Sequence, residues 1–196
     1  MNFRLGRLKI EIDYFGTLVI SLMLAVDRMG VMLPALAACC VHELGHIIAV
    51  LLTKGKISAL RLCPWGIQIV SPSLTEERAS LAVAVSGPAV NILLWVALRK
   101  AVPAFAAIQL ICGAFNLLPC NGLDGGDALR RLLSHILSER ATDRAMFAIS
   151  CTVGTACAVL GGFLLMKMQN PSLLVAGIYL LSIQLIQKIR GRETCS

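Results

Sequence analysis

Charge is scarce in this chain: Asp, Glu, Lys and Arg together supply 15% of its 196 residues, whereas hydrophobic residues supply 57%. Soluble globular chains run at about 25% charged and about 45–50% apolar, so an ordinary water-soluble domain is excluded and the lipid bilayer is the expected surrounding. A mean hydropathy of +0.79 points the same way. No C-x-x-C pair occurs among the eight cysteines. They are scattered through apolar stretches, where free thiols pack as small hydrophobes, and no disulfide framework is expected. No cleavable signal peptide is evident, because Glu11 and Asp13 interrupt between the basic residues Arg4, Arg7 and Lys9 and the first apolar run. The net charge of +7 is broken into short clusters between apolar runs, so there is no patch for nucleic acid and no such partner is expected. Internal repeats, low-complexity tracts and long linkers are also missing, which leaves one integral-membrane domain over 1–196.

Apolar runs long enough to span a bilayer extend from about Met29 to Leu52, Ala79 to Leu98, Val102 to Leu118, Ala145 to Met166 and Ser172 to Gln187. A sixth run, Tyr14 to Val26, falls short of the roughly 20 residues a spanning helix needs and must borrow flanking residues. Six spans put both termini on one side. Fourteen of the 18 Lys and Arg residues then fall on that side and four on the other, which makes both termini cytoplasmic in a multi-pass cell-membrane protein. The stretch Ile57 to Val70 alternates loosely and turns at Pro64-Trp65-Gly66, which predicts a hairpin at the cytoplasmic interface. Trp65 there serves either as an interfacial anchor or as a substrate contact. Ser73-x-x-Glu76 reads as a capping box for the helix that follows. Gly154, Ala158, Gly161 and Gly162 form a small-residue stripe suited to close helix packing. The fold class expected is an all-α membrane protein of about six transmembrane helices with a short interfacial β-hairpin after the second.

His42-Glu43-Leu44-Gly45-His46 is an H-E-x-x-H motif. Positions i and i+4 share a helix face, so both imidazoles reach one metal ion, and Glu43 projects beside that face as a general base for an attacking water. Composition predicts roughly 0.001 such motifs by chance. The motif also holds two of the three histidines and lies in a run otherwise fit for lipid, where ionisable groups are costly and functional by default.

Catalytic zinc takes three protein ligands and keeps one position open, so a third ligand must come from elsewhere. Asp27 lies at the far end of a span, Asp13 and Glu11 precede the first, and His135 follows an arginine pair in a solvated helix. The stretch Asn116 to Asp127 offers Asp124 and, as a reserve, Asp127. At a helical rise of about 1.5 Å per residue, His46 lies about 12 Å from Lys54 and Asp124 about 9 Å from Arg130, which puts both at a similar depth. Asp-Gly-Gly by itself more often marks a turn.

These residues resemble the site-2 protease family. Asn116, Pro119, Leu123, Asp124 and Gly125 match its N-x-x-P-x-x-x-L-D-G segment position for position, and Ser86-Gly87-Pro88-Ala89-Val90-Asn91 is similar to its S-G-P-x-x-N segment. The resemblance implies an intramembrane zinc endopeptidase, with Zn2+ held by His42, His46 and Asp124 and Glu43 as general base. It also implies that Asn116 positions substrate or stabilises the oxyanion, although Asn116 and Asn91 also suit hydrogen bonding between helices. Pro88 and Pro119 read as helix modifiers. The implied substrate is a membrane-spanning or membrane-associated protein cut near the cytoplasmic face. The short six-span layout is most similar to the family's stage IV sporulation branch, which implies a pro-sigma or anti-sigma factor as substrate and regulatory membrane proteins as further partners. The competing expectation is a non-catalytic membrane scaffold or inactive protease that binds client proteins.

Overall fold

The computed structural model describes residues 2–5, 8–12, 21, 24–25, 27, 30–55, 59–63, 66–70 and 77–193. They fall into two compact units, Met1–Phe115 and Asn116–Ser196. The expected first span Tyr14–Val26 lies almost wholly outside the described residues, as do the Pro64-Trp65 turn and the Ser73–Glu76 capping box.

In the first unit, strands β1 (Asn2–Leu5), β2 (Leu8–Ile12), β3 (Ala59–Cys63) and β4 (Gly66–Val70) form one sheet in the order β1-β2-β3-β4. β1 and β2 are antiparallel, β2 and β3 parallel, and β3 and β4 antiparallel. Helix α1 (Met32–Leu52) lies in the connection between the two parallel strands, which such pairing requires. The all-α expectation with a lone hairpin therefore needs correction, because Asn2–Ile12 adds two strands that were not foreseen. Short strands alternating charged and apolar residues carry little signal until their partner, some 50 positions away, is known.

Helix α1 buries Ala38, His42, Gly45, His46 and Val50, a stripe at intervals of three to four residues. It stops where Gly55 N–H donates to Val50 O at 2.8 Å with Lys54 in the left-handed region at φ 56°. At the other end Asp27 Oδ2 accepts the Met32 N–H at 2.7 Å, so this carboxylate closes the start of the helix. Helix α2 (Glu77–Leu98) buries Ser80, Ala84, Gly87, Pro88 and Asn91, and α3 (Pro103–Asn116) buries Ala106, Gln109 and Gly113. Pro88 stands inside α2 and deprives it of one backbone hydrogen bond.

The second unit holds α4 (Asp124–Ser134), α5 (Glu139–Met168) and α6 (Ser172–Glu193). Helix α5 starts before the apolar run that predicted it, because Glu139 to Arg144 add a solvated first stretch. The small-residue stripe does bring α5 against α6. A Cβ on Gly161 would strike the backbone of Leu174, and one on Gly177 of α6 would lie 2.7 Å from Ala158 Cα. Gly162 faces open space.

Among the described residues, Met32–Leu52, Ser80–Leu98 and Glu139–Met168 are long and apolar enough to cross a membrane. Pro103–Asn116 and Ser172–Gln187 are shorter apolar helices. Large apolar side chains cover their outer faces, with Leu52 79% and Met166 86% exposed. These are the proportions of a membrane protein, whose helices satisfy their backbone internally and show lipid an apolar surface. Cys39, Cys40, Cys112, Cys120, Cys151 and Cys157 are free thiols.

Candidate metal centre

The i, i+4 spacing on α1 places both imidazoles in the buried stripe, with His42 4% and His46 7% exposed. Their Nε2 atoms stand 3.1 Å apart, and the rings meet edge to face with centroids 4.8 Å apart. His46 Nδ1 lies 2.7 Å from Val83 O on α2 and 3.3 Å from Ser86 Oγ, while the Ser86 hydroxyl donates to the same Val83 carbonyl at 2.7 Å. A carbonyl can only accept, so the proton of neutral His46 sits on Nδ1 and its Nε2 presents a lone pair toward His42. His42 Nε2 must then donate a proton to it or share a cation with it.

A cation fits the surroundings. Two nitrogens bound at about 2.0–2.1 Å to one tetrahedral zinc stand about 3.3 Å apart, close to the separation found. Gly87 of α2 faces the pair: a Cβ there would lie 2.7 Å from His42 Nε2 and closer still to His46 Nε2. The missing side chain keeps the space at both donor atoms clear. On the opposite side of the contact, a Cβ on Gly45 would lie 2.9 Å from Ser86 O and 3.1 Å from Gly87 Cα. The two glycines thus let α1 and α2 approach closely enough for α2 to orient the His46 ring. Glu43 is half-buried on α1 beside His42.

In the second unit, Asp124 is the first residue of α4, with Leu123 before it in an extended conformation. In the first helical turn the Asp124 carboxylate stands at the positive end of the helix dipole. The Asp-Gly-Gly segment, read alone as a turn, opens a helix instead. Its glycines are required there because the loop 117–123 folds back on them: a Cβ on Gly125 would strike Leu117 O, and one on Gly126 would strike Cys120 O. Gly122 supplies the reversal at φ 90°. Asn116 is half-buried at the end of α3, and Pro119 follows in the loop rather than in a helix. Asp127 and His135 are exposed, Glu11 belongs to β2, and Asp13 lies outside the described residues.

Asn91 departs from the expected bond between helices. Its amide is fully buried with neither polar atom bonded among the described residues, as is that of Gln109, while its Cβ packs 3.1 Å from the Cβ position of Gly113. Val83, Ser86 and Gly87 are site residues whose roles sequence reasoning missed. The signal for Ser86 and Gly87 was the S-G-P segment, whose spacing says nothing about which ring it serves, and Val83, three residues before it, had none.

No protein-family model matches the chain, and no curated protein sequence matches it either. Among solved structures, the chain is similar to the Site-2 Protease from Methanocaldococcus jannaschii, with a TM-score of 0.66 and 19% sequence identity. The match covers 92% of this chain and 91% of that chain. This likeness establishes a shared fold, a membrane fold of helices.

Proposed function

We propose that the protein is an intramembrane zinc endopeptidase of the site-2 protease type, with His42, His46 and Asp124 as metal ligands. The observation that carries the reading is the pair of buried Nε2 atoms 3.1 Å apart, beside which Gly87 leaves room for an ion. Asp124 supplies a hard carboxylate donor of the kind that completes a two-histidine zinc site. Shared fold with the archaeal Site-2 Protease supports the same reading. When bound, zinc supplies a Lewis acid that acidifies water and polarises a peptide carbonyl.

The chain's own groups do the rest. Val83 O holds the His46 proton on Nδ1 and so keeps Nε2 a donor to metal. Glu43 takes the proton from the attacking water on its carboxylate and returns it to the departing amine. Asn116 positions the substrate or donates to the developing oxyanion. The substrate is a membrane-spanning or membrane-associated protein whose helix unwinds near the cytoplasmic face, since helical carbonyls are already hydrogen-bonded. The edge of the β3–β4 hairpin is suited to hold such an unwound strand. A pro-sigma or anti-sigma factor is the substrate class we favour, with membrane-bound regulators as partners.

Co-expression with membrane-tethered candidate substrates tests the reading. Glu43→Ala is expected to retain zinc and lose cleavage, Asp124→Asn to lose both, and chelation of the wild type to abolish cleavage reversibly. Identical fragments from all three proteins would remove the catalytic assignment.

A further inference from the structure

Asn121 precedes Asp124 by three residues and is itself 7% exposed. Its backbone N–H donates to Ser150 Oγ on α5 at 2.9 Å, and its side-chain Nδ2 donates to Gln184 Oε1 on α6 at 2.9 Å. Gln184 Nε2 reaches back to Asn121 O at 3.5 Å and to Leu180 O at 3.4 Å. One buried glutamine thus grips both the side chain and the backbone of a loop residue, and a serine grips its N–H. Ser150 and Gln184 are 0% and 2% exposed, with partners 29 and 63 positions away along the chain.

Three polar side chains on or against apolar helices are costly in a membrane protein unless they are paired. Here the pairing converges on a single point of the loop. Downstream of that point only Gly122 and Leu123 intervene before Asp124, and just beyond it Gly125 and Gly126 are held against the carbonyls of Leu117 and Cys120. The backbone of Asp124 is therefore held from both sides. We infer that Asn121, Ser150 and Gln184 are positioning residues for the metal centre, a latch through which α5 and α6 set the placement of the Asp124 carboxylate. The inference rests on Asp124 being a metal ligand.

The test uses the full chain in detergent, loaded with zinc and titrated with a chelator of known affinity, with thermal melts of the loaded and stripped forms. Gln184→Leu is expected to weaken zinc binding by about 10- to 100-fold, the range seen when partners behind metal ligands are lost. Gln184→Glu keeps the size and the acceptor for Asn121 Nδ2 but sets an oxygen against the Asn121 and Leu180 carbonyls, so a loss of zinc affinity smaller than that of Gln184→Leu is expected. In Asn121→Leu/Gln184→Leu neither unpaired amide remains, so the stripped protein's melting temperature recovers while zinc binding stays weak. A purely structural role predicts instead that both recover together, and that result would overturn the latch, as would wild-type affinity in Gln184→Leu. If Gln184→Leu fails to fold, Ser150→Ala decides: a several-fold loss of zinc affinity supports the latch and an unchanged affinity refutes it. Asp124→Asn separates the two ideas. Unchanged zinc binding there removes Asp124 from the ligand set and the latch with it, whereas weakened binding beside a silent Gln184→Leu removes the latch alone.

Discussion

At Gly87 a single hydrogen in place of a side chain decides whether two imidazoles can share an ion. A methyl group there would meet His42 Nε2 at 2.7 Å and His46 Nε2 more closely, and both rings are buried with little room to retreat. Gly87→Ala is therefore expected to bind zinc with at least ~100-fold lower affinity and to lose cleavage in proportion, read by metal content and peptide-bond hydrolysis in the same preparation. Overpacking of this kind costs about 1–3 kcal/mol, so the melting temperature falls as well. Ser86→Ala should be far milder. It removes the 3.3 Å contact to His46 Nδ1 but leaves the 2.7 Å bond to Val83 O, so zinc affinity should drop by less than about tenfold. An equal loss in both variants would mean that Gly87 matters only through the fold.

Among the elements, the helices of the second unit separate packing from chemistry. Gly161 and Gly162 are neighbours on α5, yet a Cβ on Gly161 would run into the backbone of Leu174 while one on Gly162 would meet nothing within 4 Å. Backbone cannot swing aside as a side chain can, so Gly161→Ala is expected to destabilise by about 1–3 kcal/mol. Gly162→Ala should be neutral or stabilising by up to about 1 kcal/mol, since alanine is the better helix former. Thermal melts of the two variants in one detergent give the comparison, and equal shifts would show that α5 does not meet α6 along this face. The stripe itself was legible in the sequence because 3.6-residue periodicity is local, but which of two adjacent glycines faces the partner was not. The same limit hid the grip of Ser150 and Gln184 on Asn121, whose partners lie 29 and 63 positions apart. His42 and His46 were legible as neighbours because one turn of helix relates them, whereas Asp124 was proposed only from its depth and its resemblance to a known segment. The strands β1 and β2 went unread because a sheet is a non-local object.

For the whole molecule, the sheet constrains the path of the chain. β2 and β3 pair in parallel, and α1 lies between them in sequence. If α1 crosses the bilayer, β3 sits at the face where α1 ends, and β2, bonded to it, must sit at that face too. Met32 then begins on the opposite face, so the chain between Ile12 and Met32 has to cross as well. Those roughly 19 residues, even at the 1.5 Å rise of a helix, reach about 28 Å, close to a hydrocarbon core of about 30 Å. Tyr14–Val26 is too short to span by itself, so its crossing is an expectation that draws on flanking residues. An even number of crossings follows if the five later apolar helices, counting α3 and α6, all traverse. A reporter active only in the cytoplasm should therefore work at either terminus, and a reporter active only outside should work when placed near Arg28 or between Arg99 and Val102. Reporters that put the two termini on opposite faces would mean either that the early segment stays on one side, which breaks the parallel pairing, or that a short helix such as α3 does not traverse. Placing the reporter between Lys54 and Ile57 tells these apart, because its side relative to the N-terminus depends on the first two crossings alone.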